Sequence, residues 1–442
     1  MTPVAYHYSS TKANWAWPGP SQSSVTQLRG GTALADARAT DLCLDLFSSP
    51  TVRDLWAKRP LRSGPLGIWP LRILIYLKVR IDVPSQMSFQ NTNVWEGLVM
   101  QRRVEWARLV LSLCYVILLI GSADASDHLF PDRPAAMRVF ADLLKIPHTA
   151  PESSITVEST QEEEGVVVED ISWESLDKEH PQAFVLRPAK FKGPLPAIVC
   201  LHGSSGSREL LCTSRFGIGE WTRPGAKTAQ TQLLGWAREL SRSGYLTLAL
   251  TQRGLDRRTP DTDDQAKDLL VRGRTLMGAI VYEIRQAVSY LRKRQDVDPA
   301  RIGMTGISFG GITTFYTWLV DDRIAAAAPI CGGVGSLDVF VQRGSRNYHG
   351  LYWWIPGMLT RGDQGDFAAA MAPRPLMLWA PLEDIGMPKE GVDRFLEVVI
   401  PAYARSAAPD ALVVHRPPGG HTFSLEAFAA MKAFFDKYLK AQ

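Results

Sequence analysis

The chain has 442 residues, 45% hydrophobic and 21% charged, with a formal net charge of +4. That is more than one typical domain needs, and the composition suits a globular protein with a sizeable core. Of 49 basic and 45 acidic residues, 13 and 8 fall in residues 1–125, which leaves a body of 36 against 37; so even a balance argues against a nucleic-acid partner. The five cysteines, Cys43, Cys114, Cys200, Cys212 and Cys331, contain no CxxC, which excludes a disulfide scaffold and the usual zinc spacings. Cys200 and Cys331 sit in apolar runs and read as core thiols.

In chain order, residues 1–99 come first. They open with the Ser/Thr/Pro/Gly-rich stretch MTPVAYHYSSTKANWAWPGPSQSSVTQLRGG and show no sustained periodicity; the apolar run at 68–81 is broken by Pro70, Arg72 and Lys78. They are expected to be a poorly structured extension. Residues 100–125 have the layout of a leader: Arg102, Arg103 and Arg108, an apolar run over 109–121, then the small-x-small pattern Ala123-Asp124-Ala125. The run is short of the about 20 residues of a membrane span. The segment is predicted to be a signal peptide or a signal anchor, and in either case its flanking charges place the body outside the cytoplasm. The protein is therefore expected to be secreted or periplasmic, or membrane-anchored if the 109–121 segment stays uncleaved. Because leaders stand at N-termini, translation is expected to start near Met100, leaving residues 1–99 outside the natural protein. The other reading is a genuine extension ahead of a signal anchor.

The body, 126–442, is regular. Helical spacing runs over 135–146. GVVVEDISW and QAFVLRP read as two strands with a turn near DKEHP. LPAIVCLHG (195–203) is a buried strand, TQLLGWARELSRSG (231–244) an amphipathic helix stopped by Gly244, and YLTLALT (245–251) another strand. A long helix over 276–294 precedes the strand RIGMTGIS and the helix FGGITTFYTWLV. IAAAAPICGG, RPLMLWAP and ALVVHRP are strands, and SLEAFAAMKAFFDKYLK is a closing helix. Strands alternating with helices predict an α/β fold: a mostly parallel sheet of about eight strands, helices on both faces, and one antiparallel edge. Residues 333–373 form the longest interruption, beyond the carboxyl ends of strands, where open sheets bind ligands.

Gly306-x-Ser308-x-Gly310 falls where a strand meets a helix, the context of a nucleophile elbow. A serine hydroxyl needs a base, here a histidine, and in this architecture the order is nucleophile, acid, histidine. His415 lies inside a strand and reads as a sheet residue, whereas His421 follows Gly419-Gly420 in a loop at a strand end and is the candidate base. Asp384, just after the strand PLMLWAP, is the candidate acid, with Glu383 the competitor; Asp363 and Asp366 read as solvated or capping. The oxyanion donors are expected to be the N–H of Phe309 and that of Ser204, with Ser205 as second candidate, in the loop after His202-Gly203. His202 reads as structural. Tyr352, Trp353 and Trp354, in HGLYWWIPG, are candidate substrate-binding residues, with packing of the two tryptophans onto the sheet as the other reading. His349 reads as polar packing. Arg253, Arg257 and Arg258 flank a strand end, either to hold an anionic group or, more commonly, as solvated cations. Residues 214–225 read as another rim of the site.

From about residue 165 to 440 the sequence resembles the α/β-hydrolase superfamily, closest to its dienelactone-hydrolase-like and acetyl-xylan-esterase-like branch. The carrying stretches are PLPAIVCLHGSSGSREL, VDPARIGMTGISFGG, APRPLMLWAPLEDIGMP and GGHTF, and the spacing from Arg374-Pro375 to Asp384 to Pro388 supports Asp384 as the acid. The resemblance implies an eight-stranded sheet and no cofactor or metal. Dienelactone hydrolases use a cysteine nucleophile; Ser308 in its place favours ester hydrolysis. Thr251-Gln252 stands where relatives often have an aspartate. The expected function is thus a secreted serine esterase working through an acyl-enzyme on a small-molecule or carbohydrate ester, acetyl esters among them. The alternatives are a prolyl-oligopeptidase-like serine peptidase, whose propeller pattern residues 1–165 lack, and a non-catalytic binding protein on the same fold.

Overall fold

A computed structural model describes residues 129–440 apart from 153, 223–226, 257, 259–260 and 345–347. The extension at 1–99, the leader at 100–125 and Arg257 therefore lie outside the described residues.

Among the described residues, eleven strands are formed: β1 (Ile155–Glu163), β2 (Val166–Trp173), β3 (Gln182–Pro188), β4 (Leu195–Leu201), β5 (Gly217–Trp221), β6 (Gln230–Leu234), β7 (Leu246–Leu250), β8 (Val297–Ile307), β9 (Ala326–Ile330), β10 (Leu376–Trp379) and β11 (Leu412–His415). Nine of them make one sheet in the order β1-β2-β3-β7-β4-β8-β9-β10-β11. Successive neighbours along β1-β2-β3-β7 pair antiparallel, and from β7 onward every neighbour is parallel. β4, β7 and β9 are buried along their whole length because helices cover both faces. The strand beyond the expected eight is β1, whose sequence ITVESTQEE is exposed at all but its first position. With no face to bury, it carries no alternating apolar signal.

The α-helices of the described residues are α1 (Arg133–Leu144), α2 (Arg208–Cys212), α3 (Trp236–Arg242), α4 (Thr262–Leu270), α5 (Leu276–Lys293), α6 (Phe309–Val320), α7 (Leu337–Gln342), α8 (Gln364–Ala370), α9 (Lys389–Ala404) and α10 (Leu425–Phe435). Residues of α1, α5, α6, α8 and α9 pack into the core on one side of the sheet; those of α2, α3 and α10 fill the other. α1 is typical of how these ends are set. Asp132 accepts the Ala135 N–H at 2.7 Å, and Ala136, Phe140, Leu143 and Leu144 repeat at helical spacing toward the core.

The amphipathic helix expected over 231–244 is corrected. Residues 230–234 form β6, paired antiparallel with β5, and the helix begins only at Trp236. The junction is Gly235, at φ +65°, where an added Cβ would sit 2.3 Å from the Arg215 carbonyl oxygen. Only glycine fits there, and the chain turns from strand to helix. The excursion at 333–373 holds α7, two short 3-10 turns at Leu351–Trp353 and Met358–Thr360, and α8. Asp363 caps α8 in a reciprocal box with Asp366. Among the described residues, no helix is long and apolar enough to cross a membrane.

Candidate active site

β4, β8, β10 and β11 run in the same direction. The loops leaving their carboxyl ends converge, and each carries one part of the site.

β8 ends at Ile307 and α6 starts at Phe309. Ser308, between them, adopts φ 58° and ψ −116°, a conformation costly for a residue with a Cβ. It is held there by its neighbours: its N–H donates to the Ile330 carbonyl at 2.9 Å, and its own carbonyl accepts from Gly311 and Ile312. The flanking glycines answer to space. A Cβ on Gly306 would lie 2.5 Å from the Gly310 carbonyl, and one on Gly310 would lie 2.2 Å from the Leu201 carbonyl oxygen.

The Ser308 hydroxyl lies 2.8 Å from His421 Nε2, and His421 Nδ1 lies 2.8 Å from Asp384 Oδ1. Nδ1–H donates to the carboxylate, which leaves Nε2 free to accept the serine proton. Asp384 is buried and its Oδ1 accepts a further bond from the Gly386 N–H at 2.7 Å. Glu383, one residue earlier, is exposed, and its backbone N–H donates to the Gly419 carbonyl at 3.0 Å. His415 stays in β11, paired with Trp379, as a sheet residue.

The loop after β4 folds into a turn closed by the Gly206 N–H on the Gly203 carbonyl at 3.0 Å. Ser204 and Ser205 of this turn line the same cavity as Ser308 and His421. Phe309, the first residue of α6, is buried, with its ring 4.3 Å from that of Tyr352. Beneath the turn, the fully buried His202 gives its Nδ1–H to the Gly203 carbonyl at 2.8 Å and accepts the Gln252 N–H at Nε2. The Gln252 side chain donates to the His202 carbonyl at 2.7 Å and accepts the Thr313 hydroxyl at 2.7 Å. An amide both gives and takes there, which explains glutamine at a position where a carboxylate could only accept.

The cavity measures about 310 Å³. Besides the residues above, it is walled by Ile218 and Gln230–Leu233 of the β5–β6 hairpin, by Trp236, and by Tyr348, His349 and Tyr352. Of the rim expected at 214–225, Ile218 of β5 lines the cavity, residues 223–225 lie outside the described residues, and β6 is the wall the sequence missed. Of the three aromatic candidates, Tyr352 lines the cavity. Trp353 is fully buried, stacked on the His349 ring at 4.3 Å, and Trp354 donates its indole N–H to the His349 carbonyl at 3.4 Å. Neither tryptophan is part of the cavity wall. Burial holds His349 neutral by pushing its pKa down to about 4.

Arg253 and Arg258 are largely buried and paired rather than solvated. Arg253 is bonded to Asp177 and Gln265, and Arg258 to Glu283 and Glu179. Cys331 is a buried residue at φ 46°, and its thiol donates to the Thr422 carbonyl at 3.6 Å. Among the described residues, the group closest to a metal-ligating set is Cys331, Asp384 and His421, with ligand atoms within 4.8 Å of one another. Burial, then the charge of Asp384, pushes the Cys331 thiol well above its ordinary range, so it stays protonated. Asp384 and His421 are already bonded to each other.

The sequence pattern of the Abhydrolase family matches residues 124–423. The chain belongs to the Abhydrolase family. This Abhydrolase chain is 29% identical over 290 residues to YtaP of Bacillus subtilis (strain 168), provisionally named a hydrolase; the match spans 65% of this chain and 92% of that protein. Among solved structures, it is similar to a Bacteroides fragilis NCTC 9343 protein provisionally named an acetyl xylan esterase. The TM-score is 0.51 at 21% identity, over 64% of this chain and 74% of that one. It is also similar to the glucuronoyl esterase from Solibacter usitatus, with TM-score 0.51 at 17% identity, over 69% and 91%. At these identities the structural neighbours share the Abhydrolase fold, the α/β-hydrolase sheet expected from the sequence.

Proposed function

We propose that the chain is a serine hydrolase of carboxylic esters. The observation that carries the reading is the unbroken run of hydrogen bonds from Ser308 to His421 to Asp384, at 2.8 Å each. His421 Nε2 takes the Ser308 proton as the oxygen attacks the ester carbonyl. Asp384 holds the ring in the Nδ1–H tautomer and stabilises the imidazolium that forms. The N–H groups of Phe309 and Ser204 receive the oxyanion. Collapse expels the alcohol, which takes its proton from His421. A water, deprotonated by the same imidazole, then attacks the acyl-Ser308 carbonyl; collapse releases the acid as Ser308 Oγ takes the proton back from His421.

The substrate class we favour is an uncharged carbohydrate acyl ester, acetyl esters among them. Two things support it. Structural neighbours carry names of esterases acting on acetyl xylan and on glucuronoyl esters. The cavity wall also combines uncharged hydrogen-bonding groups, Ser205, Gln230, Thr231 and Gln232, with aromatic rings, Trp236, Tyr348 and Tyr352. The leader-like segment at 100–125 supports export, with catalysis outside the cytoplasm.

The test is turnover of p-nitrophenyl acetate. Ser308→Ala and His421→Ala are each expected to lower kcat on the order of 10⁴-fold or more, with the fold retained by circular dichroism. Turnover that persists after Ser308→Ala refutes the assignment.

A further inference from the structure

We propose that His349 is a positioning residue, which holds the Asp384 turn in register with His421 by way of Gly386. The inference rests on the Ser308–His421–Asp384 reading and extends it into the excursion.

The turn from Pro381 to Gly386 is held on two sides. On one side, the N–H groups of Leu382 and Glu383 donate to the carbonyls of Pro417 and Gly419, in the loop that leads from β11 to His421. On the other, His349 Nε2–H donates to the Gly386 carbonyl at 2.7 Å. Gly386 in turn gives its N–H to Asp384 Oδ1 at 2.7 Å, the same oxygen that accepts the hydrogen bond from His421 Nδ1–H at 2.8 Å. Space at Gly386 is tight: an added Cβ would stand 3.0 Å from Asp384 Oδ1 and 3.3 Å from His421 Nδ1. A small displacement of this one residue therefore moves the donor that fixes the carboxylate.

His349 is itself fixed. Its ring stacks on Trp353 at 4.3 Å with 21° between planes, and meets Tyr348 edge-on at 4.8 Å. Its remaining nitrogen, Nδ1, faces the Tyr352 hydroxyl at 3.4 Å. With Nε2 donating and Nδ1 faced by a phenol, the ring is poorly placed to act as a second base on substrate. The titratable and charged groups around it are Asp384 and His421 from the two catalytic loops and Tyr348 and Tyr352 from its own segment. Trp353, which sequence suggested for substrate, is the platform beneath this histidine.

The experiment compares two substitutions in the full chain. His349→Phe keeps a flat ring on Trp353 and removes the donor, while His349→Gln keeps an amide donor within reach of Gly386. His349→Phe is expected to lower kcat on p-nitrophenyl acetate about 10- to 100-fold with KM within about twofold, the size of effect that slight misplacement of a catalytic group produces. His349→Gln is expected to recover most of that loss. In an Asp384→Asn background, His349→Phe is expected to cost less than about threefold, because residues that act as a unit are not additive. The downfield proton resonance of the His421–Asp384 hydrogen bond is expected to shift in His349→Phe and return in His349→Gln. A loss that falls on KM alone, a glutamine no better than phenylalanine, or a full cost in the Asp384→Asn background overturns the inference. Ser308→Ala is measured alongside. Turnover surviving that change overturns the triad reading together with this one. Turnover lost in Ser308→Ala but unchanged in His349→Phe overturns this inference alone.

Discussion

Asp384 and Glu383 are adjacent carboxylates in one turn, and burial separates them. The Asp384 side chain is 5% exposed and bonded to both His421 and Gly386, while Glu383 is exposed. A buried carboxylate with two donors can stabilise an imidazolium; a solvated one is screened and free to turn away. Asp384→Asn is therefore expected to lower kcat on the order of 10³- to 10⁴-fold, whereas Glu383→Gln stays within about twofold. The measurement is kcat for both on p-nitrophenyl acetate, and a larger loss in Glu383→Gln exchanges the two roles. Residue type and chain order brought Ser308, His421 and the pair 383/384 into view, since the proposed reaction needs those groups in that order. The contacts of His349 and Gln252 were not legible, because they are made with Gly386, 37 residues away, and with His202, 50 residues away.

At the scale of elements, the β8–α6 elbow explains why the Gly306–Gly310 spacing is needed. β4 passes so close beneath it that the Leu201 and His202 carbonyls lie 2.2 and 2.8 Å from where a Gly310 Cβ would stand. Backbone cannot yield as a side-chain tip does. Gly310→Ala is thus expected to destabilise the fold by about 2 kcal/mol or more, read as a lower denaturant midpoint with an unchanged slope. A midpoint unchanged from the parent shows that the elbow is looser than this. Buried elements were the readable ones: β4, β7 and β9 are continuous apolar runs, and α6 runs over the residues its sequence suggests. β6 was not readable. Leu233, Leu234, Trp236, Ala237 and Leu240 continue a helical spacing across Gly235, and only the pairing with β5 makes 230–234 a strand. That miss matters for function, since Gln230, Thr231 and Gln232 form a wall of the cavity.

Across the whole molecule, the sheet is the device that unites residues 204, 308, 384 and 421. Parallel strands send their carboxyl ends to one rim, so loops far apart in sequence meet without any of them needing to be long. The excursion between β9 and β10 then leans on two of those loops: Phe309 packs on Tyr352, and His349 reaches Gly386. The neutral charge balance of the body and the absence of charged side chains from the cavity wall, among the described residues, fit an uncharged ester better than an anionic one. The central claim is that Ser308 is an activated nucleophile, and a fluorophosphonate probe tests it most directly. Peptide mass spectrometry of the labelled chain is predicted to find the phosphonyl group on Ser308, with labelling abolished in Ser308→Ala and in His421→Ala. A label on another residue, or one that survives Ser308→Ala, contradicts it.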